Sequence, residues 1–303
     1  MYRAMDALEA AKQARTTDDL PDDPALARLA DVLRGMGSAL VCYSGGVDSA
    51  FVLLVAHKVL GDRAIGMTAV SASLAPRERD GAIAIAKAIG ARHELVDSNE
   101  IEDEGYAQNG VDRCFYCKSE LYRIAAKKRV DWGMAFVLNG TNTDDLGDYR
   151  PGLDAAREAE ARSPLVEAAL DKAEVRRLSK LLGLPVWDKP ASACLSSRLP
   201  YGTRVTAERL HQIGELEEAI AGLGIRQARV RWHALGEVAG TSGGAIARIE
   251  ISKDEIARAF EHRDAIVTRG MELGFAYVTL DLAGYRRGSH NEVLSGRSLR
   301  VLS

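Results

Sequence analysis

The segment SGGVDS at residues 44–49 restricts the fold of this chain more than any other stretch of its sequence. It follows a short apolar run at 39–43 and precedes an apolar run with helical periodicity, which predicts a buried strand, a tight turn and a helix. Gly45 and Gly46 let the backbone approach a ligand closely, and the unpaired N–H groups of the helix start attract an anion. The sequence therefore predicts a phosphate or pyrophosphate site here, formed by Ser44, Gly45, Gly46, Val47, Asp48 and Ser49.

This loop is not a Walker phosphate loop, because the G-x-x-x-x-G-K-[ST] spacing is absent. It contains Asp48 instead. An aspartate would repel a bare phosphate, so its presence predicts a bridging Mg²⁺. A second loop follows the apolar run at 134–140 and contains several Asn and Asp residues. We expect it to contact a nucleotide and to supply a further Mg²⁺ ligand, although a turn that binds its own backbone is the alternative. The residues concerned are Gly140, Thr141 and Asn142 for the nucleotide and Asp145, or its neighbour Asp144, for the metal.

Strand and helix patterns alternate over the first ~185 residues, which favours a mostly parallel sheet covered on both faces. One of the predicted helices spans 76–89, opened by Pro76 and closed by Gly90. Ligands bind such sheets beyond the carboxyl ends of the strands. The segments 44–49, 71–77 and 139–152 all follow predicted strands, so we expect them to meet at one edge. The fold class predicted is α/β, with a Rossmann-like parallel sheet.

The second half of the chain has the patterns of a smaller α+β domain. We predict a polar N-terminal extension over 1–23, a nucleotide-binding domain over 24–189 and the smaller domain over 190–303. Ser252 and Glu255 have the spacing of a capping box at the start of a helix. The patterns predict helices at 206–223 and 253–270, strands at 225–233, 245–251 and 275–280, and a hairpin loop at 236–245.

The composition is ordinary for a soluble globular protein, for which the cytoplasm is the expected location. The chain has 303 residues with 40 basic and 43 acidic side chains, and this balance argues against a nucleic-acid-coating surface. No apolar run approaches the ~18 residues of a membrane span, and the N-terminal residues lack the apolar core of a secretory signal. In a reducing compartment the four cysteines are expected to be metal ligands, reactive thiols or buried residues rather than disulfide partners.

Three of these cysteines are candidates for metal binding. Cys114 and Cys117 form a C-x-x-C pair beside a predicted helix, and Cys194 lies in the segment that joins the two halves. Cys42 lies within a predicted core strand and is expected to be a buried apolar residue. Structural zinc requires four ligands, whereas three thiolates suit a [4Fe–4S] cluster with one iron open to a ligand such as sulfide. A zinc or redox role for the pair is the alternative.

Together these motifs resemble the LarE family, which belongs to the N-type ATP pyrophosphatase (PP-loop) superfamily. The resemblance extends from about residue 25 to the end of the chain. The matching segments are SGGVDS, RCFYCK at 113–118, G-T-N-x-D-D at 140–145, A-C-L-S-S-R-x-P-Y-G-T at 193–203 and TLDLAGYRRGSHNEVL at 279–294.

The resemblance implies an ATP-dependent sulfur transferase with ATP, Mg²⁺ and a [4Fe–4S] cluster as cofactors. Its implied substrate is pyridinium-3,5-biscarboxylic acid mononucleotide, whose carboxylates are adenylylated and become thiocarboxylates during synthesis of the nickel-pincer nucleotide cofactor of lactate racemase. Family members with one cysteine, in the position of Cys194, sacrifice its sulfur, whereas those with all three resemble cluster-dependent enzymes. The sequence predicts the second type, with Cys194 acting sacrificially as the alternative. The implied catalytic residues and cluster ligands are Cys114, Cys117 and Cys194.

The resemblance also implies residues that bind the mononucleotide. Arg229 and Arg231 lie two apart on a predicted strand, so both project from one face, and guanidinium groups match phosphate and carboxylate geometry. A cross-strand salt-bridge ladder with Arg248 and Glu250 is the alternative. The full set of candidate substrate ligands is Arg198, Glu217, Arg229, Arg231 and Glu250.

Other functions remain open at this point. An amide ligase resembling NAD or GMP synthetases would use ammonia and would not need the three cysteines. A tRNA-thiolating enzyme would bind RNA in a salt-sensitive way, which the balanced charge does not favour. A nucleotide-binding scaffold would not release pyrophosphate. For the leading hypothesis we expect a sulfide or other sulfur donor, a homo-oligomer, and neither a membrane nor a nucleic-acid partner.

Overall fold

The computed structural model describes residues 20–147, 151–190, 193–236 and 244–286. The described residues do not include most of the predicted N-terminal extension, residues 237–243 of the predicted hairpin loop or the end of the C-terminal motif. Within the described ranges, no helix has the length and apolar character that crossing a membrane requires.

The described residues form two compact units. The first contains the residues up to Tyr106 and those from Asp112 to Pro190, and the second contains 107–111 and the residues from Ala193 onward. The short segment 107–111 belongs to the second unit through backbone hydrogen bonds, in which Val205 donates to Ala107 (2.8 Å) and Gly202 donates to Asn109 (3.0 Å).

The first unit is built on a four-stranded sheet in which every strand pair is parallel, in the order β3-β2-β1-β4. The central strand β1 pairs Leu40 with Ile65 on one side and with Val137 on the other. This sheet confirms the predicted α/β class. Its strands are β1 (Ala39–Cys42), β2 (Ala64–Val70), β3 (Arg92–Asp97) and β4 (Phe136–Leu138).

Helices connect and cover these strands, as parallel pairing requires. The helix predicted at 76–89 has those bounds. The helices of this unit are α1 (Pro24–Met36), α2 (Val47–Leu60), α3 (Pro76–Ile89), α4 (Glu104–Ala107, ending at the boundary with the second unit), α5 (Arg113–Asp131), α6 (Pro151–Glu158), α7 (Pro164–Glu167) and α8 (Lys172–Leu181).

Apolar residues of β1 alternate between two cores, one on each face of the sheet. Ala39 and Val41 pack into the core that contains most of α2, together with residues of α1 and α8. Leu40 packs into the other core, with Met67 of β2 and Tyr122 of α5. Because both faces are covered, β1 reads as an uninterrupted apolar run rather than an alternating one.

The second unit contains a three-stranded sheet in the order β5-β6-β7, with an antiparallel β5–β6 pair and a parallel β6–β7 pair. The strands predicted at 245–251 and 275–280 have those bounds. The helix predicted at 253–270 is wrong as a single element, because it is interrupted at His262. The elements are α9 (Ala207–Gly222), β5 (Ala228–Ala234), β6 (Ala245–Ile251), α10 (Ile256–Glu261), α11 (Arg263–Glu272) and β7 (Phe275–Leu280).

The predicted capping box at Ser252 and Glu255 does not form, and the chain begins there with a short 3₁₀ turn. The Ser252 hydroxyl donates to the Glu255 carboxylate (2.8 Å) instead of capping the helix. That carboxylate accepts the backbone N–H groups of Arg226 (2.9 Å) and Gln227 (3.0 Å). The Glu255 carboxylate thus accepts hydrogen bonds from a distant part of the chain and not from the backbone at the start of its own helix.

His93 links β3 to the strand that leads into the SGGVDS loop. The Thr68 hydroxyl donates to the Tyr43 carbonyl (2.7 Å), so its oxygen accepts from His93 Nε2–H at 2.8 Å. Burial of the imidazole lowers the pKa of His93, an effect only partly offset by Glu94. The histidine is therefore neutral in the folded protein at neutral pH.

We predict that the free energy of unfolding decreases as the pH falls below about 6.5, where the unfolded chain protonates this histidine more readily than the folded chain does. His93→Gln should decrease this loss of stability at low pH. Urea denaturation of both proteins between pH 5.5 and 7.5 measures the difference, and an identical pH dependence in the two would contradict the prediction.

Candidate functional site

The SGGVDS loop is held in shape by its own serines. Ser49 Oγ accepts the backbone N–H of Ser44 (3.1 Å), lies 3.1 Å from Ser44 Oγ and donates to the Gly46 carbonyl (3.2 Å). Gly45 has a positive φ of 71°, and Gly46 precedes α2 without a side-chain cap. The first N–H groups of α2 therefore have no side-chain partner at the cap, which is the arrangement that binds anions.

Two glycines allow neighbouring backbone to reach this loop. A Cβ on Gly45 would lie 2.9 Å from Cβ of Ala82 in α3, and a Cβ on Gly140 would lie 2.8 Å from the backbone nitrogen of Ser49. The loop after β4 therefore packs directly against the first turn of α2. The sequence predicted that these loops meet, and the structure places them together at the carboxyl edge of the sheet.

The contact between the loops brings the candidate magnesium ligands close to one another. Asn142 Nδ2 donates to Asp48 (3.3 Å), and the Asn142 backbone N–H donates to the Asp145 carboxylate (3.1 Å). Thr141 is held by the Asn139 side chain (3.0 Å). Two carboxylates in one polar cluster suit Mg²⁺, which retains several waters and takes further oxygens from phosphates.

Two lysines at this loop were not anticipated from the sequence. Lys172, at the start of α8, forms an ion pair with Asp48. Lys189 donates to the Gly45 carbonyl (3.2 Å) and to Glu78 of α3 (2.8 Å). They lie 124 and 144 residues along the chain from their partners in the loop and belong to no recognised motif, so only the folded chain reveals them.

Cys114 and Cys117 lie in the first turns of α5, at the i, i+3 spacing that puts two side chains on one helix face. Cys114 is exposed, Cys117 is partly buried, and neither of these first-unit cysteines forms a disulfide within the described residues. Cys42 forms none there either, and burial raises the pKa of its thiol to about 12, an effect only partly offset by Lys118. A thiol with so high a pKa is a poor metal ligand at neutral pH.

Cys194 is exposed and belongs to the second unit, where it precedes a 3₁₀ turn at Leu195–Arg198. Within the residues that the structure describes, no three His, Cys, Asp or Glu side chains are arranged so as to hold a metal ion. The cluster ligand set therefore remains a prediction. Its chemistry is consistent with the residues, since the first two thiols share a helix face near a helix N-terminus, where thiolates are favoured.

A buried ion pair fixes the backbone that presents Cys194. Arg198 is 3% exposed and forms two hydrogen bonds to Glu217 (2.9 and 3.0 Å). The same guanidinium donates to the carbonyls of Ala193 (2.6 Å) and Cys194 (2.9 Å). Glu217 also accepts the N–H of Val230 in β5 (2.9 Å). Both side chains were predicted to bind substrate, and the structure engages them with each other and with this segment.

The predicted alternative of a salt-bridge ladder occurs for part of the arginine set. Arg231 donates to Glu250 (2.9 Å) and to the Ser197 carbonyl (2.9 Å), while Arg248 donates to the other oxygen of Glu250 (2.9 Å). Glu250 is 1% exposed, and these two arginines balance the charge of its buried carboxylate.

Arg229 differs from these arginines. It is half-buried, donates to the Ala228 carbonyl (2.8 Å) and lies 5.5 Å from the centre of the Tyr285 ring. Among the residues present in the structure, no carboxylate forms a salt bridge with it. Burial, together with the nearby charge of Arg198, lowers the pKa of Arg229, and the Glu217 carboxylate only partly offsets this effect. A half-buried cation that forms no salt bridge is suited to bind an anionic ligand.

We predict that Gly140→Ala destabilises the protein by about 1–3 kcal/mol, because its Cβ would be forced against backbone that cannot move independently. Gly147→Ala is the matched control in the same loop region, since a Cβ there would meet nothing within 4 Å. Urea denaturation of the two variants tests the packing. Equal free energies of unfolding for Gly140→Ala and Gly147→Ala would show that the loop moves to accommodate the added Cβ.

No protein-family model matches the chain, but several curated proteins are similar to it. An uncharacterised protein of Synechocystis sp. is 46% identical over 259 residues, which cover 85% of this chain and 93% of that protein. An NH₃-dependent NAD⁺ synthetase of Finegoldia magna is 29% identical over 148 residues, which cover 47% of this chain and 59% of the synthetase.

The pyridinium-3,5-bisthiocarboxylic acid mononucleotide synthase of Lactiplantibacillus plantarum is 36% identical over 278 residues. This alignment covers 91% of the chain described here and 97% of the synthase, so it includes both compact units. The shorter match to an NAD⁺ synthetase agrees with the PP-loop architecture of the first unit. The chain belongs to the LarE family of the PP-loop superfamily.

Proposed function

We propose that this enzyme converts the carboxylates of pyridinium-3,5-biscarboxylic acid mononucleotide to thiocarboxylates, with cleavage of ATP to AMP and pyrophosphate. The main support is the 36% identity to a synthase of the corresponding bisthiocarboxylic acid over 91% of the chain. The geometry adds an anion-binding helix start beside two lysines and an exposed, firmly held Cys194. We propose that the product serves nickel-pincer nucleotide synthesis for lactate racemase.

The nucleotide half of the reaction is assigned to the first unit. A carboxylate resists nucleophiles, so its oxygen must first become part of a good leaving group, which ATP provides as an acyl-adenylate. The departing pyrophosphate would bind the N–H groups at the start of α2, with Lys172 and Lys189 neutralising its charge. Asp48 and Asp145 would hold Mg²⁺. The proposed nucleotide contacts are Ser44, Gly45, Gly46, Val47, Ser49, Gly140, Thr141 and Asn142.

Both lysines form ion pairs with acidic side chains of the first unit. Lys172 is paired with Asp48, and Lys189 is paired with Glu78. A magnesium ion at Asp48 would compete with Lys172 for the carboxylate and leave the ammonium group available to a phosphate. Binding of Mg-ATP would then exchange one set of ion pairs for another, without a large change in buried net charge.

The sulfur half is assigned to Cys194 and to the arginines of the second unit. The Arg198–Glu217 pair holds the carbonyl of Cys194 in place, so the thiol starts from a defined backbone position. Arg229 is the proposed ligand for an anionic group of the mononucleotide, because its guanidinium forms no salt bridge within the described structure. Arg231 and Glu250 would border this position as a neutral pair.

For the sulfur source we propose a [4Fe–4S] cluster held by Cys114, Cys117 and Cys194. Such a cluster leaves one iron free to bind sulfide, a nucleophile that a donor can replace after each turnover. Sacrifice of the Cys194 sulfur would permit a single turnover.

We further propose that the enzyme is cytoplasmic, where thiols stay reduced, and that it acts as a homo-oligomer.

Anaerobic purification should yield protein with about four iron and four sulfide per chain and the visible absorption of a cluster. Replacing Cys114 and Cys117 together by Ser should abolish both, whereas Cys42→Ser, the matched control, should retain them. Stoichiometric zinc without iron would contradict the cluster and favour the sacrificial route. Mass spectrometry of the Cys194 peptide after turnover then detects or excludes conversion to dehydroalanine.

A variant in which all three cysteines are replaced distinguishes a sulfur transferase from an amide ligase. Pyrophosphate release with the biscarboxylic mononucleotide should persist when all three cysteines are replaced, while thiocarboxylate formation is lost. Amide formation from ammonia by that triple variant would instead indicate a ligase of the NAD synthetase kind.

We predict that Arg229→Ala raises KM for the mononucleotide by about tenfold to 100-fold, as expected for loss of a charge-assisted bond to an anionic group. Stability should change little, since Arg229 forms no salt bridge within the described residues. Arg226→Ala provides the control, because its side chain is 78% exposed and lies near the start of the same strand. An unchanged KM would remove Arg229 from the site.

A further inference from the structure

Glu100 is an acidic residue to which no part of the proposed reaction assigns a role, yet its carboxylate is almost completely buried. It lies in the 3₁₀ turn after β3 and is 3% exposed. Three serine hydroxyls donate to it, from Ser71 (2.5 Å), Ser73 (2.7 Å) and Ser98 (2.8 Å). Within the described part of the chain, no lysine or arginine forms a salt bridge with it.

Burial of a carboxylate without a cation is costly unless hydrogen bonds replace its hydration. The three hydroxyls supply those bonds, and hydrogen bonds to an ionised acceptor are stronger than neutral ones. Ser71 and Ser73 follow β2, and Ser98 follows β3, so one carboxylate joins the ends of two neighbouring strands. Ser98 also donates its N–H to the Val70 carbonyl (2.9 Å), which extends the pairing of these strands.

The turn that Glu100 holds leads directly into α3, the helix that contacts Gly45. We call the turn formed by Gly45 and Gly46 in the SGGVDS loop the glycine turn. Residues 71–75 form a compact turn, in which Leu74 donates its N–H to the Ser71 carbonyl (3.1 Å), and α3 begins at Pro76. Glu78 in the first turn of α3 pairs with Lys189, which donates to the Gly45 carbonyl.

The next turn of α3 completes the contact with the glycine turn. Ala82 would meet any Cβ placed on Gly45, at 2.9 Å. The Tyr43 hydroxyl donates to the Ala82 carbonyl (2.9 Å), so the residue before the SGGVDS loop is also tied to α3. The position of α3 therefore limits the space around Gly45, and α3 supplies the Glu78 carboxylate that pairs with Lys189.

We propose that Glu100 is a positioning residue for the nucleotide site: it fastens the turn after β2 and thereby holds α3 against the SGGVDS loop. This inference rests on the proposed function only in that the loop binds Mg-ATP. Glu100 does not touch the nucleotide, since its two oxygens are occupied by hydroxyls and its side chain is buried.

A direct ligand role is the competing explanation, because Glu100 also borders a cavity of about 420 Å³ beside α5. The cavity is lined by Tyr116, Ser119, Glu120 and Arg123 as well as by residues of the Glu100 turn. If Glu100 served a ligand in that cavity, its replacement would leave the affinity for Mg-ATP unchanged. The two explanations therefore predict different results for one measurement.

Titration calorimetry with Mg-ATP on the full chain tests the inference. Glu100→Ala should raise Kd for Mg-ATP by about tenfold, equivalent to about 1.4 kcal/mol. Glu100→Gln should lie between it and the wild type, because the amide oxygen still accepts a hydroxyl and a serine can rotate to accept from the amide. Glu102→Gln, an exposed glutamate of the same turn, is the matched control and should bind like the wild type.

Steady-state kinetics separates positioning from general damage. In the Glu100 variants KM for ATP should rise by the same factor, while kcat at saturating ATP and KM for the mononucleotide stay near their wild-type values. Equal Mg-ATP affinities in Glu100→Ala and the wild type would overturn the inference alone. If Glu100→Ala does not fold, Glu100→Gln and Ser73→Ala decide the question in the same way. A wild-type protein that does not bind Mg-ATP would overturn the proposed function as well.

Discussion

The candidate nucleotide site depends on backbone packed against backbone at the start of α2. The loop after β4 reaches that helix through Gly140, and α3 reaches the preceding turn at Gly45, where a side chain on either glycine would clash. Glycine at the cap position, Gly46, leaves the first N–H groups of α2 without a side-chain cap. The contact at Gly140 accompanies the hydrogen bond from Asn142 to Asp48.

Charge in both units is arranged as local pairs. At the glycine turn the two lysines are paired with Asp48 and Glu78, and in the second unit Arg198 is paired with Glu217. The Arg198–Glu217 pair is buried, and such a pair adds little net stability compared with apolar packing, although removing one partner is costly. These pairs therefore serve mainly to fix positions: that of the loop in one unit and that of Cys194 in the other. Glu100 resembles them, with hydroxyl groups in place of the cation.

Sequence reasoning was accurate where one local pattern decides the structure. Helix α3 begins at Pro76 and ends before Gly90, and both residues have strong preferences at those positions. It failed at Ser252 and Glu255, because the carboxylate found backbone donors at Arg226 and Gln227 that no local rule reveals. For the arginines, two alternatives were open from the sequence. The structure realises the ladder for Arg231 and leaves Arg229 without a salt bridge among the described residues.

The sequence by itself determined the α/β class, the glycine turn at the end of a buried strand and membership of the LarE family, because these depend on short runs of residues in a fixed order. The tertiary structure decided which charges meet. Lys172 and Lys189 reach the loop across more than 120 residues of chain, and three serines from two strand ends converge on Glu100. Such contacts depend on how the strands are ordered in the sheet and how the helices pack against it, and no local pattern encodes a partner so far away in the chain.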